Sequence, residues 1–496
     1  MPRAMPSPRP AQKDQPLSVG FVSLGCAKNL VDLQVMAGRL VRSGLRLAPS
    51  AEKADVILVN TCAFIESARE EAADQILWAC ERKAKGKCRA VVVSGCLPQR
   101  YADDMHKAFP DVDAILGVDD LDRIGDIVAN VAIRSIPPGV SSTKVPRKAG
   151  ANGVRGNVFP VAHQPAPFLD AVSRVQPHRV FDPEEPGLVL SGGPFAYLKI
   201  GEGCLHACAF CAIPGIRGRY RSRSLDAIVA EARVLIADGI RELDLVAQDT
   251  TAYGKDIPVG KGPRLVDLLQ ALEAIPGDFR IRLLYGYPAT VTDDVLRWMA
   301  ASPKACRYLD IPVQHSHPDV LRAMRRAETV KTVGTLAARA RELVPRITLR
   351  TTLLVGFPGE TDEHFRHLKA YVKSSEFDHL GVFAFSPEEG TAAYDMDDVP
   401  PPEVAERRRD EILKLQQKIS AKRLKALVGK EDIVLLEAPS PENGDDVWTG
   451  RSSAQAPDDI DGTTYVFGVP ADAECGDLLP VVYTGSDEYD LIAEAR

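Results

Sequence analysis

Short apolar runs closed by small or polar residues recur along most of this 496-residue chain, with helical patterns between them. SVGFVSLG, ADVILVN and RAVVVSG lie before residue 137, and AYLKI, ELDLVAQ, RIRLLYG, YLDIPVQ, ITLRTTLLVG and HLGVFAFS follow residue 193. Such runs suit parallel strands covered on both faces, and segments such as LDAIVAEARVLIADG and HPDVLRAMRRAE supply the cover. The expected fold is therefore a multidomain α/β protein. Residues 17–137 form an N-terminal open parallel sheet, and 194–399 form six β/α units, a partial (β/α)6 barrel curled too little to close. The Pro-rich segment 1–16 reads as a disordered tail, and 138–193, with many Pro, Gly and Ser and little periodicity, as a linker or insertion. Residues 400–429 read as one amphipathic connecting helix, with Pro401 and Pro402 at its start and Gly429 at its end. DIVLLEA, TTYVFG, LLPVVYTG and YDLIAEA, separated by turn residues, make 430–496 a small antiparallel β-barrel.

No run of apolar residues is long enough to span a bilayer, and the N-terminus MPRAMPSPRPAQKDQP lacks the apolar core of a secretory signal. A cytoplasmic protein without membrane association is expected. In that compartment the ten cysteines read as thiols and metal ligands rather than disulfides. Cys204, Cys208 and Cys211 lie in GEGCLHACAFC, directly after AYLKI. Three thiolates in one short loop hold three corners of a [4Fe–4S] cube and leave the fourth iron open to a small molecule. A structural zinc needs four ligands. His206 is the nearest addition, but it sits between two of the cysteines, where the backbone would have to bend sharply.

Cys26, Cys62 and Cys96 are distant in sequence but share one context: FVSLGC, VILVNTC and VVVSGC each run from an apolar strand through two small or polar residues to Cys. Functional groups gather at the carboxyl ends of parallel strands, so one sheet can assemble this second trio, again one ligand short of four. The competing reading is three independent buried cysteines. Cys80, Cys88, Cys306 and Cys475 share no such context and read as structural or surface thiols, with Cys88 exposed beside the basic loop ERKAKGK.

The C-x3-C-x-aromatic-C loop, with Phe210 in the aromatic position, resembles the radical S-adenosylmethionine (SAM) superfamily. Together with the second trio it is similar to the methylthiotransferases of that superfamily, over about residues 17–494. That resemblance implies an N-terminal methylthiotransferase domain whose Cys26, Cys62 and Cys96 hold an auxiliary [4Fe–4S] cluster. It implies a radical SAM domain whose Cys204, Cys208 and Cys211 hold a second one, and a C-terminal TRAM barrel. SAM serves there both as methyl donor and as radical source. SLGCAKNLVD, LVAQDTTAYG, YLDIPVQH, VGFPGET, FSPEEGT and APDDIDG resemble the ribosomal-protein-modifying branch. The implied reaction adds a methylthio group to the β-carbon of an aspartate in small-subunit ribosomal protein twelve, on or off the ribosome, with electrons from a donor protein. The alternatives are a tRNA adenosine methylthiotransferase and a non-catalytic metal-binding scaffold.

Charge bears on the substrate independently. The chain is −7 overall, yet 430–496 alone holds 16 Asp and Glu against 3 Lys and Arg, a net of −13. Such a barrel repels tRNA phosphates and attracts a basic protein. For cofactor contacts the candidates are Phe210, Gln248, Gln314, Arg350, Gly356 and Glu360, with Asp249 and His315 at the same strand ends and Pro358 and Gly359 in the same turn. Polar groups at strand ends face a barrel's mouth, and the resemblance to the radical SAM superfamily implies that the glycine turn helps bind the adenine side of the cofactor. For each, packing is the competing account, and for Arg350 it is a structural ion pair. Arg217, Arg219, Arg221 and Arg223 read as a solvated basic run.

Overall fold

The computed structural model describes residues 16–118, 120–134, 189–190, 192–444, 446–458 and 460–496. The proposed tail and linker lie outside them, except for Pro16 and the last few positions before 194. Two compact units result: the chain up to Leu190 together with Gly215–Arg217, and the remainder. No helix among the described residues is long and apolar enough to cross a membrane.

The first unit is a five-stranded parallel sheet made of β1 (Ser18–Ser23), β2 (Arg46–Leu47), β3 (Val56–Thr61), β4 (Ala90–Gly95) and β5 (Ala114–Leu116), in the order β2-β1-β3-β4-β5. Every residue of β3 and β4 is buried, which explains their continuous apolar character. Strands β2 and β5 were not expected. They are edges of two and three residues, too short to carry a period. The strand order reverses between β1 and β3, the kind of switch point beside whose carboxyl ends ligands bind in open α/β sheets.

The second unit contains β6 (Phe195–Lys199), a hairpin of β7 (Gly201–Glu202) and β8 (Arg221–Ser222), then β9 (Glu242–Val246), β10 (Arg280–Leu283), β11 (Ala305–Asp310), β12 (Thr348–Val355) and β13 (His379–Ala384). Six of these form one parallel sheet, in the order β13-β12-β11-β10-β9-β6. The sheet stays open between β13 and β6, as expected of a partial barrel. Its strands alternate more than their apolar runs suggest. Leu243, Leu245, Ile281 and Leu283 face the helices and join the main core, while Glu242, Asp244, Arg280 and Arg282 occupy the other face.

The helix Pro402–Lys425 buries Ala405, Arg408, Ile412, Gln416 and Ile419, at spacings of three and four. It leads to a closed barrel of β14 (Glu431–Pro439), β15 (Trp448–Arg451), β16 (Thr464–Phe467), β17 (Leu478–Ser486) and β18 (Leu491–Ala495). Strand β15, WTGR, is one more than expected. Strand β18 inserts between β16 and β17, so its pairing with β16 is parallel while the other four are antiparallel.

The loop after β15 enters the charged face of the six-stranded sheet. Arg451 reaches Glu242 at 2.8 Å, beside Arg280 at 2.8 Å and Arg282 at 3.2 Å. Asp461 accepts from Tyr308 and pairs with Arg350 at 3.1 Å. The string APDDIDG is therefore the barrel's anchor in this unit.

Candidate functional site

Each cysteine of the first trio stands where a strand hands over to a helix. Cys26 is the N-cap of the helix Ala27–Arg42, Cys62 follows β3, and Cys96 opens the helix Cys96–Ala108. Helix N-termini favour thiolates. Close approach is built in by glycine. Gly25, at φ +91°, lies so near Cys62 that an added Cβ would sit 2.8 Å from the cysteine's own Cβ. Gly95, at φ +102°, would bring one within 2.5 Å of the Thr61 carbonyl oxygen. Side-chain amides join the loops. Asn60 Nδ2 donates to the Asn29 carbonyl at 2.8 Å, Asn29 Nδ2 to the Leu24 carbonyl at 2.7 Å, and Thr61 Oγ1 to the Ser94 carbonyl at 2.7 Å. Gly95→Ala is expected to cost about 1–3 kcal/mol in backbone strain. It also pushes the Cys62 and Cys96 loops apart, so iron content after anaerobic reconstitution falls; wild-type iron content in that variant would contradict this geometry.

Burial and neighbouring charge act differently on the three thiols. Cys96 is pushed up to about 11, first by burial, against Arg217, and further by Cys26 and Cys62. Cys62 is raised by burial and by Cys26. Cys26 is exposed at the surface; the crowding around its sulfur opposes ionisation, but Lys28, Arg217 and backbone N–H groups together hold it below the ordinary thiol value. Arg217 is 3% exposed, donates to Cys96 Sγ at 3.2 Å and pairs with Asp32 at 2.6 Å. Arg223 is equally buried and pairs with Glu231 at 2.6 Å. The expected solvated basic run is thus corrected: two of its four arginines are internal, because acidic partners meet them there.

The second trio lies in the loop framed by the β7–β8 hairpin. Cys208 is buried, and Cys204 and Cys211 are half-buried. Gly203, at φ +80°, admits the Arg219 carbonyl where a Cβ would be 2.3 Å away. Backbone bonds hold the loop: Cys204 N–H to the Gly218 carbonyl at 3.1 Å, and Ala209 N–H to the Met324 carbonyl at 3.0 Å. Burial pushes Cys204 up to about 12 and raises Cys211 as well, with each of the other two thiols adding to the latter. His206 does not turn towards the sulfurs as a fourth ligand. Its Nε2 lies 2.7 Å from Asp249 Oδ2, and its ring stacks on Tyr287 at 3.6 Å. Each trio therefore offers three sulfurs in a built cradle, which fits a cube with one open corner.

The proposed cofactor contacts fall around this loop. Phe210 packs edge-on against Phe357 at 6.4 Å. Gln248 donates to Glu202 at 2.9 Å. Gln314, at φ +69°, bridges to Leu353 within β12. His315 is buried, and its Nδ1 accepts the His317 N–H at 2.9 Å. Arg350 pairs with Asp310 at 3.3 Å and with Asp461, so its guanidinium serves the barrel's anchor. Gly356, at φ +76°, passes 2.4 Å from Ala405 Cβ when given a Cβ, and its N–H bonds Glu360. The Glu360 carboxylate pairs with Arg408 at 3.2 Å. Glu360 thus ties its own turn to the helix Pro402–Lys425.

The other four cysteines are free thiols. Cys88 is buried, 4.0 Å from the Ala79 carbonyl, contrary to the exposure its basic loop implied.

Three family models match. Residues 18–117 match "Uncharacterized protein family UPF0004", 198–372 the radical SAM superfamily and 428–495 the TRAM domain. A ribosomal protein uS12 methylthiotransferase RimO of Trichlorobacter lovleyi is 42% identical over 476 residues, covering 96% of this chain and 97% of that protein. One of Myxococcus xanthus is 43% identical, covering 96% and 91%. A solved radical SAM methyltransferase, TsrM of Kitasatospora setae, superposes with a TM-score of 0.52 at 15% identity over 88% of this chain and 81% of that one, a likeness of fold alone. With strand-end cysteines, a three-cysteine radical loop and a terminal barrel in this order, and that identity along nearly its whole length, the chain belongs to the RimO family of ribosomal protein uS12 methylthiotransferases.

Proposed function

We infer that this chain methylthiolates the β-carbon of an aspartate in ribosomal protein uS12. Cys26, Cys62 and Cys96 hold an auxiliary [4Fe–4S] cluster, and Cys204, Cys208 and Cys211 hold the radical cluster. The observation that carries the reading is the pair of trios, one gathered at three strand ends where Gly25 and Gly95 let the loops approach, the other in one loop closed on Gly203. Bound there with SAM, such clusters supply hydrogen abstraction from unactivated carbon and a sulfur for methyl transfer, chemistry that side chains lack. The chain's own groups prepare the sites. Lys28 and Arg217 favour the Cys26 thiolate. Tyr287 fixes His206 by stacking, with Asp249 holding its far nitrogen. Phe210 and Phe357 form an apolar wall beside Cys211.

Charge favours the protein substrate over tRNA. Arg451 and Asp461 are withdrawn into the unit's interior, but their charges cancel, so the rest of 430–496 still carries −13. A basic partner is attracted by that field, and the attraction is screened by salt. We expect kcat/KM on the ribosomal protein to fall severalfold between ~0.05 and ~0.3 M salt.

The test is anaerobic reconstitution, then incubation with SAM, a reductant and either uS12 or tRNA, read by mass spectrometry. One methylthio group in place of hydrogen on a uS12 aspartate supports the reading. Modification of tRNA alone overturns the substrate, and iron loading without SAM cleavage overturns the enzyme in favour of a scaffold.

A further inference from the structure

We propose that Arg326 is the counter-charge of the radical cluster, and that its N–H···S bond to Cys208 raises that cluster's reduction potential. The inference rests on Cys204, Cys208 and Cys211 being cluster ligands, as read above.

Arg326 is 4% exposed. Its Nη1 donates to Cys208 Sγ at 3.4 Å and its Nη2 to the Pro312 carbonyl at 2.7 Å, while the guanidinium lies 4.3 Å over the Tyr287 ring. No ion pair among the described residues gives it a carboxylate. A buried guanidinium without an anion is costly, because desolvation is then uncompensated. A sulfur, a carbonyl and an aromatic face are the partners it has. Of these, only the sulfur becomes anionic, as a thiolate ligand.

The backbone is built to place it. Arg325, just before, is held at φ +57°, a region that bulky residues seldom adopt. The same turn grips the cysteine loop, since the Met324 carbonyl accepts the Ala209 N–H beside Cys208. Reduction adds an electron to a cluster. A fixed cation bonded to a ligand sulfur therefore stabilises the reduced state more than the oxidised one. Arg217 offers a contrast within the same chain. It also donates to a trio sulfur, Cys96 Sγ, but Asp32 at 2.6 Å already meets its charge. Its effect on the auxiliary cluster's potential should be the smaller of the two.

The test is a redox titration of the anaerobically reconstituted full chain, followed by electron paramagnetic resonance. Iron is measured on every sample, and the titration is repeated with Cys26, Cys62 and Cys96 replaced to isolate the radical cluster. In Arg326→Met the reduced fraction at the wild-type midpoint should fall so that the reduced-to-oxidised ratio drops about tenfold, or ~59 mV for one electron. Arg326→Lys, which keeps the charge, should titrate close to wild type. A fully loaded Arg326→Met with the wild-type midpoint overturns the proposal. If Arg326→Met does not load, a loaded Arg326→Lys with the full tenfold drop overturns it equally, because charge is then not what counts. If the unaltered chain holds no cluster on Cys204, Cys208 and Cys211, the functional reading fails first, and the iron count shows it.

Discussion

Changing Cys26, Cys62 and Cys96 together to alanine should abolish methylthio transfer while the chain still cleaves SAM on reduction and keeps about four irons. The same change at Cys204, Cys208 and Cys211 should remove both activities. The asymmetry follows from two separate trios with separate tasks. The first trio stands at three strand ends of one sheet, and the second in one loop of another. Each mutated trio leaves the other's cradle intact. Product mass and 5′-deoxyadenosine, measured on the same samples, check the result. Surviving sulfur transfer in the first triple variant would remove the auxiliary site from the mechanism.

The largest effect on stability is expected at Glu242, far from either trio in sequence. Its carboxylate is fully buried among Arg280, Arg282 and Arg451. Burial alone would raise its pKa, but the three guanidinia outweigh this and hold it well below the ordinary carboxylate range. Neighbouring Asp244 is raised, by burial and then by Glu242, so one carboxylate of the pair carries the charge. Glu242→Ala leaves Arg280 without its carboxylate, and leaves Arg282 to Asp244 at 3.2 Å and Arg451 to Glu437 at 2.7 Å; breaking this buried network should cost about 3 kcal/mol. The chemical-denaturation midpoint of the second unit checks it, and Glu242→Gln, which keeps shape and hydrogen bonding, should lose less. The sign with pH follows from the lowered pKa: the contribution is present above the unfolded carboxylate's titration near ~4.3 and fades as pH falls through the folded value. An alanine variant with the wild-type midpoint would mean that Arg451 is not anchored through this carboxylate.

Much of this architecture is legible in one dimension because it is locally coded. An apolar strand, two small residues and a cysteine make a repeated signal, and the three cysteines of GEGCLHACAFC lie within eight residues. The six strands of the partial barrel announce themselves by length and apolar content. The edges Arg46–Leu47 and Ala114–Leu116 and the strand Trp448–Arg451 do not, since two to four residues hold too little periodicity and their pairing partners define them.

Charged residues divide the two levels of description most sharply. Arg217 and Arg219 look alike in the run IRGRYRSR, yet Arg217 is buried against Cys96 and Asp32 while Arg219 is exposed. Nothing around Arg326 in sequence marks it as the neighbour of a cysteine 118 positions earlier. Arg350 looks like a ligand contact as readily as a structural ion pair, and its partner Asp461 lies 111 positions away. Strand and helix periods, glycine turns and cysteine spacing come from covalent geometry and short-range sterics, so the chain alone determined them. Whether a charge ends in water, in an ion pair or on a sulfur depends on which distant groups share its dielectric environment, and only the tertiary structure decided that.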